Sequence, residues 1–143
     1  MATRSTIWMK NEDGTFTGIY CHWDGYIENN GKILFQHYQD VNKLKSLLAL
    51  GSISCLGQYV STNMPHTFEQ PAPSVTVAYH RDRGEDYCQY NKIKEENVSE
   101  YYEEYNYFFI DGEWQYVLNC GETKMKSLKK AVEKLCKEKN NVH

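Results

Sequence analysis

Residues 105–118 read Tyr-Asn-Tyr-Phe-Phe-Ile-Asp-Gly-Glu-Trp-Gln-Tyr-Val-Leu. Two runs of aromatic and aliphatic side chains, Tyr105 to Ile110 and Glu113 to Leu118, flank Asp111-Gly112. Asp-Gly is a strong two-residue hairpin signal, because a type I′ turn needs positive φ at both central positions. This is the clearest hairpin in the chain, and it sets the expectation of an antiparallel sheet. A second hairpin is predicted from residues 5–10 and 15–23 around Asn11-Glu12-Asp13-Gly14. There Ile7 and Met9 alternate with their neighbours, as do Ile19, Cys21 and Trp23, with Phe16 and Tyr20 on the other side.

Between the hairpins the signals change period. Asp24-Gly25 breaks the second strand, and residues 31–38 fit a short helix or a strand equally well by period. Asp40 is a predicted N-cap for a helix from Val41 to Leu50, with Val41, Leu44, Leu47 and Leu48 on one face and Gly51 as its stop. Residues 62–73 hold Pro65, Pro71 and Pro73 and read as a loop, and Ser74 to Tyr79 reads as a strand. Asn97 is a predicted cap of a short helix, with Glu100 at the reciprocal position. Within a Lys-rich segment, residues 122–143, a helix is expected from about Lys124 to Lys137, its apolar stripe made by Met125, Leu128, Val132 and Leu135. The expected architecture is α+β: a mostly antiparallel sheet of about five strands with helices packed on one face. At 143 residues the chain has the length of a single domain, 1–143.

Composition narrows the function classes. The net charge is −3, which gives no global attraction to nucleic acid or to an anionic membrane, so neither is expected as a direct partner. No apolar run approaches the length of a bilayer span. The first residues lack the apolar stretch of a signal peptide, and Cys21, Cys55, Cys88, Cys120 and Cys136 are widely spaced and odd in number, as expected of reduced cytoplasmic thiols. Lys outnumbers Arg 13 to 3, the usage of an AT-rich source.

Four stretches could carry chemistry. In Tyr20-Cys21-His22-Trp23-Asp24-Gly25-Tyr26, His22 and Asp24 could pair, with His37 joining them, and Trp23 could face a ligand; the same residues also fit a strand end followed by a turn. A metal held by Cys21, His22, His37 and Cys55 lacks the close ligand pair of structural zinc sites, so no metal or other cofactor is expected. Arg81-Asp82-Arg83-Gly84-Glu85 could clamp an oxyanion through Arg81 and Arg83, or could pair its own opposite charges at a strand end. The strongest asymmetry is acidic. Residues 95–113 carry Glu95, Glu96, Glu100, Glu103, Glu104, Asp111 and Glu113 with no Lys or Arg, and 7 of the 12 tyrosines lie between Tyr87 and Tyr116. On a helix Glu100, Glu103 and Glu104 would share a face. With Tyr101 and Tyr105 they could form a surface for a basic protein groove, the tyrosines supplying rigid contact area and the carboxylates charge complementarity. They could equally be a solvated face opposite the Lys-rich end.

The runs Ser5-Thr6-Ile7, Gly18-Ile19-Tyr20-Cys21-His22-Trp23-Asp24-Gly25-Tyr26, Asn30-Gly31-Lys32, His37-Tyr38, Leu50-Gly51, Tyr79-His80-Arg81-Asp82-Arg83-Gly84-Glu85 and Glu104-Tyr105-Asn106-Tyr107 resemble a family of small phage- and prophage-encoded proteins over about residues 3–110. The resemblance carries over no catalytic residue. It implies an accessory viral gene, and by analogy of setting an inhibitor of bacterial defence. The expectation is therefore a non-enzymatic, anti-CRISPR-like inhibitor in the host cytoplasm, docking on a host defence complex such as a CRISPR effector through the acidic segment. The alternatives are a protein that sequesters a nucleotide immune signal through Arg81 and Arg83, and a small hydrolase centred on His22, Asp24 and His37.

Overall fold

The computed structural model describes residues 2–119 and 124–140, the last five by backbone alone. Cys120, the side chain of Cys136 and those of Lys137 and Lys139 lie outside the described residues, as do residues 141–143 of the Lys-rich segment. The chain runs β1 (Ser5–Lys10), β2 (Phe16–Cys21), a π-helical turn (Ile27–Gly31), α1 (Lys32–His37), α2 (Val41–Leu48), β3 (Ile53–Cys55), β4 (Val77–Ala78), α3 (Tyr79–Arg83), β5 (Tyr90–Ile93), α4 (Glu95–Val98), a 3₁₀ turn (Ser99–Tyr101), β6 (Tyr105–Ile110), β7 (Glu113–Leu118), β8 (Lys126–Ser127) and α5 (Leu128–Asn140).

The α+β class holds, but the sheet is larger than expected and mixed. Among the described residues it has 8 strands in the order β4-β3-β2-β1-β6-β7-β8, with β5 also pairing with β2. The two hairpins stand side by side. β1 pairs antiparallel with β2 and parallel with β6, so Ser5 lies between Cys21 and Tyr105. β2 and β3 also pair in parallel. These pairings join strands far apart in sequence, and no local pattern announces them.

Both faces of β1 are covered, which corrects the expectation of helices on one face only. Ile7, Met9, Ile19, Tyr107 and Phe109 meet Leu34 of α1, Leu44, Leu47 and Leu48 of α2, and Leu128 and Val132 of α5. On the reverse face Trp8, Phe16, Phe108 and Val117 form a second cluster, closed by Val98 of α4 and by Tyr90 and Tyr101. Trp8 is fully buried there and stacks on Tyr90 with ring centroids 5.4 Å apart. Its partner in the ladder is Gly18, where a Cβ would stand 2.4 Å from the indole, so only glycine leaves room for the ring.

Local signals explain several elements. Asp40 caps α2 by accepting from the Asn42 N–H at 2.9 Å. Gly51, two residues past the C-cap, takes φ +76°. Residues 31–38 resolve as α1, preceded by the π-helical turn. Other expectations fail at their boundaries. Asn97 does not cap a helix; it lies inside α4, which starts at Glu95. Glu100 sits in the 3₁₀ turn and Glu103 and Glu104 in the extended link beyond it, so the three do not share a helix face. The strand from Ser74 shortens to β4, and Tyr79 opens α3 instead. α5 starts at Leu128, because Lys126 and Ser127 pair with β7 as β8.

Candidate functional site

The Cys21–Tyr26 stretch and the middle of the acidic segment, Glu103 to Tyr105, read separately in the sequence, meet at one end of the sheet. The ladder requires it: Ser5 pairs with Cys21 on one side and with Tyr105 on the other. Beyond β2 the chain stays tied to β3, with the His22 N–H donating to Ile53 O at 3.1 Å and the Trp23 N–H to Ser54 O at 3.0 Å. Asp24 then turns the chain at φ +55°. Its carbonyl accepts from the Asn29 side chain at 3.1 Å and the Asn30 N–H at 3.3 Å, which fixes the π-helical turn against it. Asn30 is fully buried and donates to Ser5 Oγ at 3.1 Å and to Cys21 Sγ at 3.3 Å. Burial pushes the Cys21 thiol up to about 12, so it is no nucleophile at neutral pH.

A second buried network holds the acidic segment. Trp8 Nε1 donates to Thr6 Oγ1 at 2.7 Å, and that hydroxyl donates to Asn106 Oδ1 at 2.7 Å. The Asn106 side chain brackets one residue of the segment: Oδ1 accepts the Glu103 N–H at 2.9 Å and Nδ2 donates to Glu103 O at 2.8 Å. The next carbonyl, of Glu104, accepts the Asn119 N–H at 3.2 Å. Glu103 and Glu104, though outside any strand, thus sit on backbone tied into the fold by hydrogen bonds.

The side chains around this end divide between the two faces of the sheet, because Tyr20 pairs with Thr6, on the Trp8 face, and Tyr105 with Ser5, on the Ile7 face. Tyr20 shares a 2.7 Å hydrogen bond with His22 Nδ1, and the His22 ring meets Trp23 edge-on at 4.7 Å. Burial raises the Tyr20 hydroxyl, with the nearby Glu103 charge adding and Arg4 opposing. Burial lifts Tyr90 to about 12, and Glu103 contributes there as well. Tyr105 is raised by burial and by the charges of Glu28 and Glu104. Asp24, Glu28 and Glu104 are exposed and Glu103 is half-buried. Glu95, Glu96 and Glu100 are exposed along the α4 and 3₁₀ segment that crosses the Trp8 face. Tyr101 points inward, 4.6 Å from Tyr90 and edge-on to Trp8.

The other sequence candidates are placed apart. His22 bonds to Tyr20, and no ion pair joins it to Asp24; His37 ends α1, its carbonyl taken by Lys43. Among the described residues no group of three His, Cys, Asp or Glu side chains is arranged to hold a metal ion. Arg81 is engaged on all sides: it donates to Val60 O and Thr76 O, each at 2.6 Å, and to both oxygens of Asp82. Arg83 is half-exposed, lies 4.5 Å over the Phe68 ring and pairs with Glu85. At the opposite end of the sheet, between the hairpin turns, a cleft of about 980 Å³ mixes Lys10, Lys45 and Lys92 with Glu12, Asp13 and Asp111.

Sequence reasoning missed Glu28, Asn30 and Asn106. Asn106 left a trace: it is the one amide within the aromatic run of β6, at a position the two-residue period assigns to the sheet interior. No helix of the described residues is long and apolar enough to cross a membrane. No family model, curated protein or solved structure matches the chain.

Proposed function

We propose that this protein is a phage-encoded, non-enzymatic inhibitor of a bacterial defence system, anti-CRISPR-like in action, that docks on a basic groove of a host protein complex. The observation that carries the proposal is that carboxylates and aromatic rings share one end of the sheet on both of its faces, Glu103 beside Tyr20 and Tyr90 on the Trp8 face and Glu28 and Glu104 beside Tyr105 on the other. Two buried hydrogen-bond networks hold the backbone beneath them. A preorganised surface loses little entropy on association, and carboxylates around aromatic rings complement the cationic grooves of nucleic-acid-binding proteins. Chemistry at the same place has less support, since Cys21 is buried and protonated and His22 is occupied by Tyr20. The nucleotide-sequestering alternative also has less support, since the Arg81 donors are consumed within the fold.

The test is purification of the tagged chain from host cells with an active defence system. A stoichiometric complex with a nucleic-acid-binding defence protein is the expected outcome. A chain recovered alone but carrying a small nucleotide would reject the proposal in favour of sequestration.

A further inference from the structure

Residues 60–73 leave and rejoin the body of the fold as one loop. Its ends are closed by the Tyr59 N–H on Ser74 O at 3.0 Å and the Thr76 N–H on Tyr59 O at 2.9 Å. That is the pattern of an Ω-loop, a class that is frequently functional. Inside it the bonds are local: the Met64 N–H donates to Thr62 Oγ1, the Thr67 N–H to Gln70 O and the Gln70 N–H to Thr67 Oγ1. Among the described residues no backbone hydrogen bond ties 61–71 to another element. Beyond the base, where Val60 O accepts from Arg81, two side chains hold the loop to α3. Phe68 packs on Tyr79 with ring centroids 5.7 Å apart and carries Arg83 over its face. His66 reaches Asp82.

The His66 ring is set between two acceptors. Nδ1 lies 3.1 Å from Met64 O, and Nε2 lies 3.4 Å from Asp82 Oδ1. A carbonyl oxygen cannot donate a proton. Neither can Asp82 at neutral pH: burial opposes its ionisation, but the hydrogen bonds from Arg81 and the Ala78 N–H outweigh that and keep the carboxyl below the usual aspartate range. Its Oδ2 accepts from the Ala78 N–H at 2.8 Å and Arg81 Nη2 at 3.0 Å, and its Oδ1 from Arg81 Nε at 2.9 Å. An ionised carboxylate has about four acceptor positions, and His66 meets the fourth. A neutral imidazole carries one N–H and would turn a lone pair on one of the two oxygens; only the imidazolium donates to both.

We propose that His66 is a proton-operated latch: charged, it pins the loop to α3, and neutral, it releases the loop to open about Tyr59 and Ser74. The charged groups of α3 around it are Asp82 and Arg81, which share one ion pair, and Arg83, which is drawn to Glu85. His80 bonds through Nδ1 to Glu85 O, and the loop's own charge, Glu69, is exposed. The closed loop holds a proton that the open loop gives up. Closure is therefore favoured at low pH and lost as pH rises through the range in which histidine discharges, about pH 5 to 8. The loop carries Met64, 59% exposed, so the latch sets whether that apolar side chain is presented on an ordered or a moving segment.

The test is nuclear magnetic resonance of the full chain at about pH 6 and about pH 8, on either side of the ordinary histidine titration. The ring nitrogen shifts of His66 read its protonation, Overhauser contacts between the Phe68 and Tyr79 rings read closure, and nitrogen relaxation over 62–71 reads order. At the lower pH both ring nitrogens should be protonated and the ring contacts present. At the higher pH the ring should hold one proton and the contacts should fade, with order parameters falling from about 0.85 to below about 0.6. His66→Gln keeps a neutral donor for Asp82, so its loop should be equally ordered at both pH values; His66→Ala should leave the loop mobile at both. A parent loop equally ordered at the two pH values, a closed loop over a singly protonated ring, or a pH dependence that survives His66→Gln would each overturn the latch.

Discussion

Asn106 does the work of a backbone residue with its side chain. Fully buried in β6, it satisfies the Glu103 N–H and carbonyl, the Val117 carbonyl and the Thr6 hydroxyl at once. Asn106→Ala should leave several of these groups unpaired. A buried group left without a partner costs about 1–3 kcal/mol, so a loss of about 2–4 kcal/mol in a denaturant melt is expected, with faster hydrogen exchange at the Glu103 amide. An unchanged exchange rate would mean that the network does not hold the acidic segment. Asp82 makes a second residue-scale prediction, in pH. Burial opposes its ionisation, but hydrogen bonds from Arg81 and the Ala78 N–H, with the Arg81 charge, outweigh that and hold the carboxyl below the usual aspartate range. A folded-state value below the unfolded one, about 3.9, stabilises the fold above that pH. The contribution is lost as pH falls through the lower folded value. The stability gap between the parent and Asp82→Asn should therefore be present at neutral pH and close in acid. Urea melts at both pH values measure it, and a gap that widens in acid would contradict the assigned sign.

The hairpins are the elements where sequence and structure agree most closely, and the reason is local. Asp111 and Gly112 take φ +51° and +80°, as a type I′ turn demands. A Cβ at Gly112 would touch nothing within 4 Å, so Gly112→Val should cost only the backbone term. That is about 1–2 kcal/mol for a left-handed L-residue, read as a lowered thermal midpoint, with Gly112→Asn closer to the parent. A melt unmoved by Gly112→Val would mean that the turn is of another type. Where structure depends on distant partners, sequence says little. β3, β4 and β8 are two or three residues long, too short for a two-residue period to stand out. β5 pairs across an irregular register with β2 and carries Lys92 at φ +52°, which no propensity favours. The parallel pairing of β1 with β6 joins residues about a hundred positions apart. The site follows the same division: its residue types were visible, but their meeting was not, because only that pairing brings Cys21 and Tyr105 to either side of Ser5.

At the scale of the whole molecule charge is uneven: Glu95, Glu96, Glu100 and Glu104 are exposed with no Lys or Arg between them in the sequence, while Lys129, Lys130 and Lys134 are exposed on α5 beside Glu133. If the acidic segment meets a basic groove, attraction between opposite fields should govern association. Binding to the complex recovered from host cells should then weaken as salt rises, because the screening length falls from about 10 Å at 0.1 M to about 3 Å at 1 M. Reversing Glu100, Glu103 and Glu104 to Lys should barely move the melt. Exposed charges such as Glu100 and Glu104 contribute on the order of 0–1 kcal/mol each, the half-buried Glu103 makes no ion pair among the described residues, and the bonds that fix Glu103 and Glu104 come from their backbones. The same reversal should abolish protection of phage in a plaque assay on a defence-active host. Lys129 and Lys134, both exposed on α5, are the matched control; reversed to Glu, they should leave protection largely intact. If reversal on α5 removes protection and reversal on the acidic segment does not, the partner is acidic and meets α5. The carboxylates near Tyr20 and Tyr105 would then be solvated parts of the scaffold on the two faces of the sheet, and the docking surface would have to be sought around Leu128–Asn140.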